Sequence, residues 1–111
     1  YILLYRAVYN LVENAIKYNR PSGSVTVSIH TAESAVLEVT DTGIGISPEN
    51  QEKIFDPFYR VDKSRSRAMG GAGLGLALVS EIARQHNGQV KVTQSSEKGS
   101  TIALMLPVTL L

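Results

Sequence analysis

An α+β sandwich is the fold this sequence predicts: two layers, with a mixed, mostly antiparallel sheet covered by helices on one face. Three observations carry that expectation. Two segments repeat their apolar residues with the helical period, two repeat them with a period of two, and the four strand-like segments fall into two adjacent pairs. The chain is 111 residues long, one domain's worth, with 43% hydrophobic and 19% charged residues, a balance suited to a packed core.

Residues 3–18 read as the first helix. At 100° per residue, Leu4, Val8, Leu11, Val12 and Ala15 share one side, while Asn10, Glu13, Asn14 and Lys17 share a narrow opposite arc. The run Asn19-Arg20-Pro21-Ser22-Gly23 stops it with turn chemistry. Val25, Val27 and Ile29 alternate with polar residues as in a half-buried strand, and Ala35, Leu37 and Val39 repeat the pattern after a short turn, predicting an antiparallel hairpin. Asp41–Ile46 is a glycine-bearing turn, and Ser47-Pro48-Glu49 has the N-cap, N1 proline and acidic first turn of a short helix reaching about Ile54. From Asp56 to Ala72 neither period survives, which in a small domain points to a functional loop or a disordered one. Leu74, Leu78, Val79, Ile82 and Ala83 mark another helix ending near His86-Asn87-Gly88, and strands at about 89–94 and 100–106 close the chain.

Several function classes fall away on composition. Eleven basic residues against ten acidic ones leave a net charge of +1, so no bulk field marks a nucleic-acid or membrane binder. The absence of cysteine removes disulfides, thiolate metal sites and a thiol nucleophile. The longest apolar stretch, Ile102–Leu111, is interrupted by Pro107 and Thr109 and falls short of the roughly 18 residues that span a bilayer. Tyr1–Leu4 lacks the basic lead of a secretory signal.

Three constellations can carry chemistry. On the first helix, Asn10 and Asn14 lie one turn apart beside Glu13 and Lys17. Asparagine is a poor mid-helix residue, yet two amide oxygens are hard ligands of the kind magnesium accepts, and a lysine one turn on can meet a phosphate. A solvated helix surface is the plainer alternative. Next, Asp41-Thr42-Gly43-Ile44-Gly45-Ile46 follows a strand directly. It is either a tight turn or a site where the carboxylate takes a hydrogen bond from an exocyclic amine while Gly43 and Gly45 admit a flat ring. Asp-Thr-Gly is also the signature of aspartic proteases, but that fold is almost all β and two long amphipathic helices argue against it. Last, Gly70-Gly71-Ala72-Gly73-Leu74-Gly75-Leu76 opens a helix, where free N–H groups and the helix dipole attract phosphate. Its spacing fits neither the dinucleotide fingerprint nor a Walker A loop, and a flexible hinge is the plainer alternative. Arg60, Lys63, Arg65 and Arg67 precede it with only Asp62 for an acid, so they suit a cationic lid over a polyphosphate, a solvated charge run being the alternative.

Taken in order, these segments resemble the boxes of the catalytic ATP-binding domain of sensor histidine kinases. Asn10–Tyr18 resembles the N box, Asp41–Ile46 the G1 box, Ile54–Arg60 the F box and Gly71–Leu76 the G2 box, while His86-Asn87-Gly88 through Gly99-Ser100-Thr101 to Pro107 is similar to the family's closing strands. The resemblance spans nearly the whole chain and implies the Bergerat-type ATP fold of the GHKL superfamily, with residues 1–111 as an excised catalytic domain lacking N-terminal elements and the dimerisation domain.

By position, it implies that ATP and Mg2+ are bound as follows. Asn14 is the principal magnesium ligand with Asn10 assisting, and Lys17 and Tyr18 lie by the phosphates and ribose. Asp41 holds the adenine amine, in a pocket shaped by Gly43, Gly45 and Ile46, and Arg60 meets the γ-phosphate. Gly71, Gly73, Leu74, Gly75 and Leu76 cradle the phosphates, and Thr101 completes the nucleotide-binding set. Phe55 and Phe58 anchor the lid. Asn10, Asn14, Lys17 and Arg60 form the implied catalytic group. Ala72 stands where many relatives have threonine, and neither His30 nor His86 has the acidic neighbour of the family's phosphoacceptor. The implied acceptor is therefore a histidine on a separate dimerisation helix, with a response regulator downstream. The implied parent is a homodimer anchored in the bacterial cell membrane, with this domain cytoplasmic and monomeric on its own. The alternatives are a nucleotide-binding regulatory module and a GHKL serine kinase or ATPase; relatives that hydrolyse ATP usually carry glutamate at the place of Asn10.

Overall fold

Four strands form one sheet in the order β1-β2-β4-β3, where β1 is Val25–Thr31, β2 Ser34–Asp41, β3 Gln89–Ser96 and β4 Gly99–Pro107. The computed structural model describes residues 2–31, 33–56 and 75–107. All three pairings are antiparallel, so among the described strands the mixed character expected of the sheet has no parallel pair. The two expected hairpins are both present, and β2 joins them by pairing with β4 along its whole length. Helices α1 (Ile2–Lys17) and α2 (Gly75–Gln85) pack side by side on one face of this sheet.

The register decides which residues meet them. Leu37, Val39 and Asp41 of β2 stand opposite Leu104, Ile102 and Ser100 of β4, and these in turn face Val90, Val92 and Ser95 of β3. Val39, Ile102, Leu104 and Leu106 are buried against Ala7, Leu11 and Ala15 of α1 and Val79, Ile82 and Ala83 of α2. Burying each large aliphatic side chain contributes roughly 1.5–3 kcal/mol. The alanines serve a second purpose: Ala7, Ala15 and Ala83 are almost wholly buried, and their small size lets helices and sheet approach closely.

Three local expectations are corrected. In α1 Ala7 is buried with Leu11 and Ala15, whereas Val8 is only half-buried, and Ile2, Tyr5, Tyr9 and Ile16 form a second, exposed apolar side. Strand β1 is an edge strand rather than a half-buried one: Val25 is partly covered, but Val27 and Ile29 are exposed. The short helix expected after Ser47 is two 3-10 turns, Pro48–Asn50 and Lys53–Phe55. Ser47 has the extended backbone of an N-cap, but its hydroxyl accepts from the Asn50 side chain at 2.7 Å instead of capping a backbone N–H. The second turn inserts Ile54 into the core and packs Phe55 against it, close to α2.

Helix α2 ends where the sequence indicates. Asn87 takes the left-handed conformation (φ 60°), Gly88 N–H reaches Ala83 O at 2.8 Å, and Asn87 N–H reaches Arg84 O at 3.1 Å. These are the paired bonds of a Schellman cap. Among the described residues no helix is long and apolar enough to cross a membrane.

Candidate functional site

The last residue of β2 is the centre of the site. Asp41 is buried because β4 pairs with it on one side and the Asp41–Ile46 turn folds over it. Its Oδ1 accepts the N–H groups of Gly43 (2.9 Å) and Ser100 (3.3 Å), and its Oδ2 accepts the Ser100 hydroxyl at 3.1 Å. A carboxylate offers about four lone-pair positions. Among the described residues three protein donors occupy three of them, which leaves one acceptor position, on Oδ2, for a further donor.

Backbone packing holds this turn. A Cβ at Gly43 would lie 2.3 Å from Tyr18 O, and one at Gly45 would lie 2.0 Å from Ser96 O. Gly45 also has φ +78°, a conformation few other residues adopt. Ile46 N–H donates to Ser95 Oγ at 2.6 Å, and its carbonyl accepts from the Gln51 side chain at 3.0 Å. The turn is thus pressed between the end of α1 and the β3–β4 hairpin. On the α1 side, Thr42 Oγ1 donates to Asn19 Oδ1 (2.9 Å) and accepts from Ser24 N–H (2.9 Å), while the Asn19 amide donates to Ser24 O (2.8 Å).

The amides of α1 lie beside the start of α2. Asn10 Nδ2 donates to Arg6 O at 2.8 Å, which fixes the amide and turns its oxygen toward α2: a Cβ built on Gly75 would stand 3.1 Å from Asn10 Oδ1. Asn14 follows one turn later and is half-buried. Lys17, expected by the phosphates, is paired with Glu13 at 3.1 Å. Both partners are about a third or more exposed, so this i,i+4 pair is weak and readily exchanged. Tyr18 is half-buried at the helix end, and Leu76 packs partly against the core.

The structure therefore brings Asp41, Gly43, Gly45 and Ile46 together in one turn, with Tyr18 against it, and sets Asn10 against Gly75. It separates Thr101 from them. The Thr101 hydroxyl is bonded to Thr40 Oγ1 at 2.9 Å on the opposite face of the sheet, because successive side chains on β4 alternate. The hydroxyl beside Asp41 belongs to Ser100. Sequence reasoning missed Ser100, Asn19 and Arg20. Ser100 could have been found by parity with Asp41, but only once the β2–β4 register is known. Arg60, Gly71, Gly73 and Leu74, with Phe58, Lys63, Arg65 and Arg67, lie outside the described residues.

Both histidines are placed structurally. His30 Nε2 meets Glu38 Oε1 at 3.1 Å on the exposed sheet face, and His86 Nδ1 donates to Ile82 O at 2.8 Å at the end of α2.

Against known proteins, residues 1–110 match the family model described as histidine kinase-, DNA gyrase B-, and HSP90-like ATPase. The chain belongs to this family. Among curated members of that ATPase family it is 50% identical over 107 residues to the sensor-like histidine kinase SenX3 of Mycobacterium tuberculosis, covering 95% of this chain and 26% of that protein. It is 46% identical over 106 residues to the sensor histidine kinase RppB of Synechocystis, covering 95% and 23%. The chain thus spans about a quarter of the length of these relatives. Among solved structures, the mycobacterial sensor histidine kinase MprB superposes with a TM-score of 0.81 at 34% identity, over 95% of this chain and 70% of that one. Full-length ShkA in complex with AMPPNP gives 0.82 at 29% identity, over 95% and 21%. The α+β sheet-and-helix architecture agrees with a histidine kinase catalytic domain.

Proposed function

We propose that this chain binds ATP and, within its parent protein, supplies the γ-phosphoryl group to a histidine on a separate dimerisation helix, for relay to a response regulator. One observation carries the nucleotide reading: a buried carboxylate with three donors fixed and one acceptor position left, at the edge of a glycine turn. An adenine presents an exocyclic amine to such a position, and Gly43 and Gly45, pressed on Tyr18 O and Ser96 O, hold the turn beside it. The AMPPNP complex of ShkA supports the choice of an adenine nucleotide.

The donor chemistry at the other end fits a magnesium ion. Magnesium prefers hard oxygens and is commonly held by one or two protein ligands plus waters and phosphates. Asn10 Oδ1 is oriented toward α2 by its bond to Arg6 O, and Asn14 is one turn on, so these two amides would hold the ion. Once bound, magnesium would neutralise charge on the phosphates. Lys17, released from Glu13, stands on the same helix face to meet a phosphate, and the start of α2 at Gly75 and Leu76 offers backbone N–H groups. Gly71, Gly73, Leu74 and Arg60 complete the proposed set.

Transfer itself asks for positioning and charge stabilisation more than for a protein base. The lone pair of an unprotonated imidazole nitrogen forms the new bond to the γ-phosphorus. The bond to the β,γ-bridging oxygen breaks, and ADP leaves with that electron pair. Asn10, in place of the glutamate that hydrolytic relatives use to activate water, favours transfer over hydrolysis. We further propose that the parent acts as a membrane-anchored homodimer with this domain in the cytoplasm.

The chemistry of the product tests this reading. Incubating the parent protein with labelled ATP and magnesium is expected to give a phosphoprotein that loses its label in acid and keeps it in base, as an N–P bond does. Label that survives acid would assign a serine or threonine acceptor and overturn the histidine reading.

A further inference from the structure

The turn that ends α1 holds a charged side chain that neither the phosphate nor the metal reading uses. Arg20 is exposed, yet its guanidinium is committed to two backbone carbonyls from distant parts of the chain. Nε donates to Gly43 O at 3.3 Å, and a terminal nitrogen donates to Glu97 O. Gly43 is the residue whose N–H is bonded to Asp41 Oδ1. Glu97 lies at the tip of the β3–β4 hairpin, three residues before Ser100, whose N–H and hydroxyl supply the other two bonds to Asp41.

We propose that Arg20 is a positioning residue that locks the purine-recognising carboxylate by clamping the two loops that carry its three donors. A planar guanidinium holds its donors in a rigid fork, so it can fix the spacing of two carbonyls in a way a flexible ammonium cannot. Apart from the Asp41–Ser100 bonds themselves, these loops are tied by Ile46 N–H to Ser95 Oγ, three residues along the turn from Gly43. Among the described residues, the other hydrogen bond of Gly43 is the one its N–H makes to Asp41 itself, and the residue packs on Tyr18 O.

This inference rests on the nucleotide reading above, and its consequence is selectivity. Adenine offers Asp41 a donor; guanine puts a carbonyl at the corresponding position and meets the carboxylate acceptor to acceptor. A fixed carboxylate separates the two, whereas a mobile one does so less well.

Two measurements on wild type, Arg20→Ala and Arg20→Lys test it. Without nucleotide, amide hydrogen exchange at Gly43 and Ser100 is expected to accelerate about five- to tenfold in R20A, the loss of one ordinary hydrogen bond per loop, while Leu11 and Val79 in the core keep their wild-type rates. With magnesium and non-hydrolysable ATP and GTP analogues, R20A is expected to weaken ATP-analogue binding by a similar factor with little change for the GTP analogue. The adenine-to-guanine ratio then narrows, and R20K recovers part of it. Unchanged exchange at Gly43, or a ratio that stays at its wild-type value, would overturn the proposal. If wild type shows no adenine preference at all, the nucleotide reading is what fails, and the exchange rates still decide the clamp.

Discussion

Replacing Asp41 with asparagine is expected to weaken binding of an ATP analogue by about a hundredfold while leaving the fold nearly as stable as before. A hydrogen bond to a charged group is worth roughly 1.5–3 kcal/mol, and its loss in a buried site leaves the purine amine facing another donor. The protein side is forgiving. The asparagine oxygen can keep the Gly43 and Ser100 N–H bonds made by Oδ1, and its NH2 can donate to the Ser100 hydroxyl, which can accept as well as donate. Folding stability should therefore fall by about 1 kcal/mol or less. Calorimetric titration with the analogue, set beside a urea midpoint, separates the two effects. A large drop in stability with unchanged affinity would make Asp41 a structural residue.

The largest expected loss of stability lies in the sheet. Leu104 is 2% exposed in β4, paired between Leu37 and Val90 under the helices. Leu104→Ala is expected to cost about 2–5 kcal/mol, since the surrounding strands are hydrogen-bonded and can collapse only partly into the cavity. For a domain with roughly 5–15 kcal/mol of stability, that is a substantial fraction. Ile29→Ala, at a side chain 68% exposed on edge strand β1, should change stability by less than about 0.5 kcal/mol. Chemical denaturation of both variants checks the contrast, and equal losses would contradict the observed layering.

Much of this arrangement is legible in the residues, for reasons that can be stated. The first hairpin follows from period-two alternation with a short turn between, and the second from two strand-like runs separated by the turn Ser95–Gly99, both local signals. The polar face Asn10, Glu13, Asn14, Lys17 stands out because asparagine has no good reason to occupy a helix interior. The end of α2 is written in Asn87-Gly88, which the left-handed cap requires. What local pattern cannot show is which hairpins become neighbours. The β2–β4 pairing joins residues about sixty positions apart, and it alone brings Ser100 to Asp41 and sends Thr101 to the other face. Helix α1 misleads for a different reason. It is apolar on more than one side, so periodicity does not choose between Val8 and Ala7, and the close approach of α2 selects the smaller residue. Edge position likewise exposes Val27 and Ile29 despite their alternation. Arg20 reads as part of a turn, and nothing in its neighbours points to carbonyls at Gly43 and Glu97.

The account turns on where a purine sits. A crystal structure of the chain with a non-hydrolysable ATP analogue and magnesium tests this directly. The expected result is the adenine amine within hydrogen-bonding distance of Asp41 Oδ2, the ring against the Gly43–Gly45 turn, and the metal beside Asn10 and Asn14. Nucleotide bound elsewhere, or a purine turned away from Asp41, would contradict it.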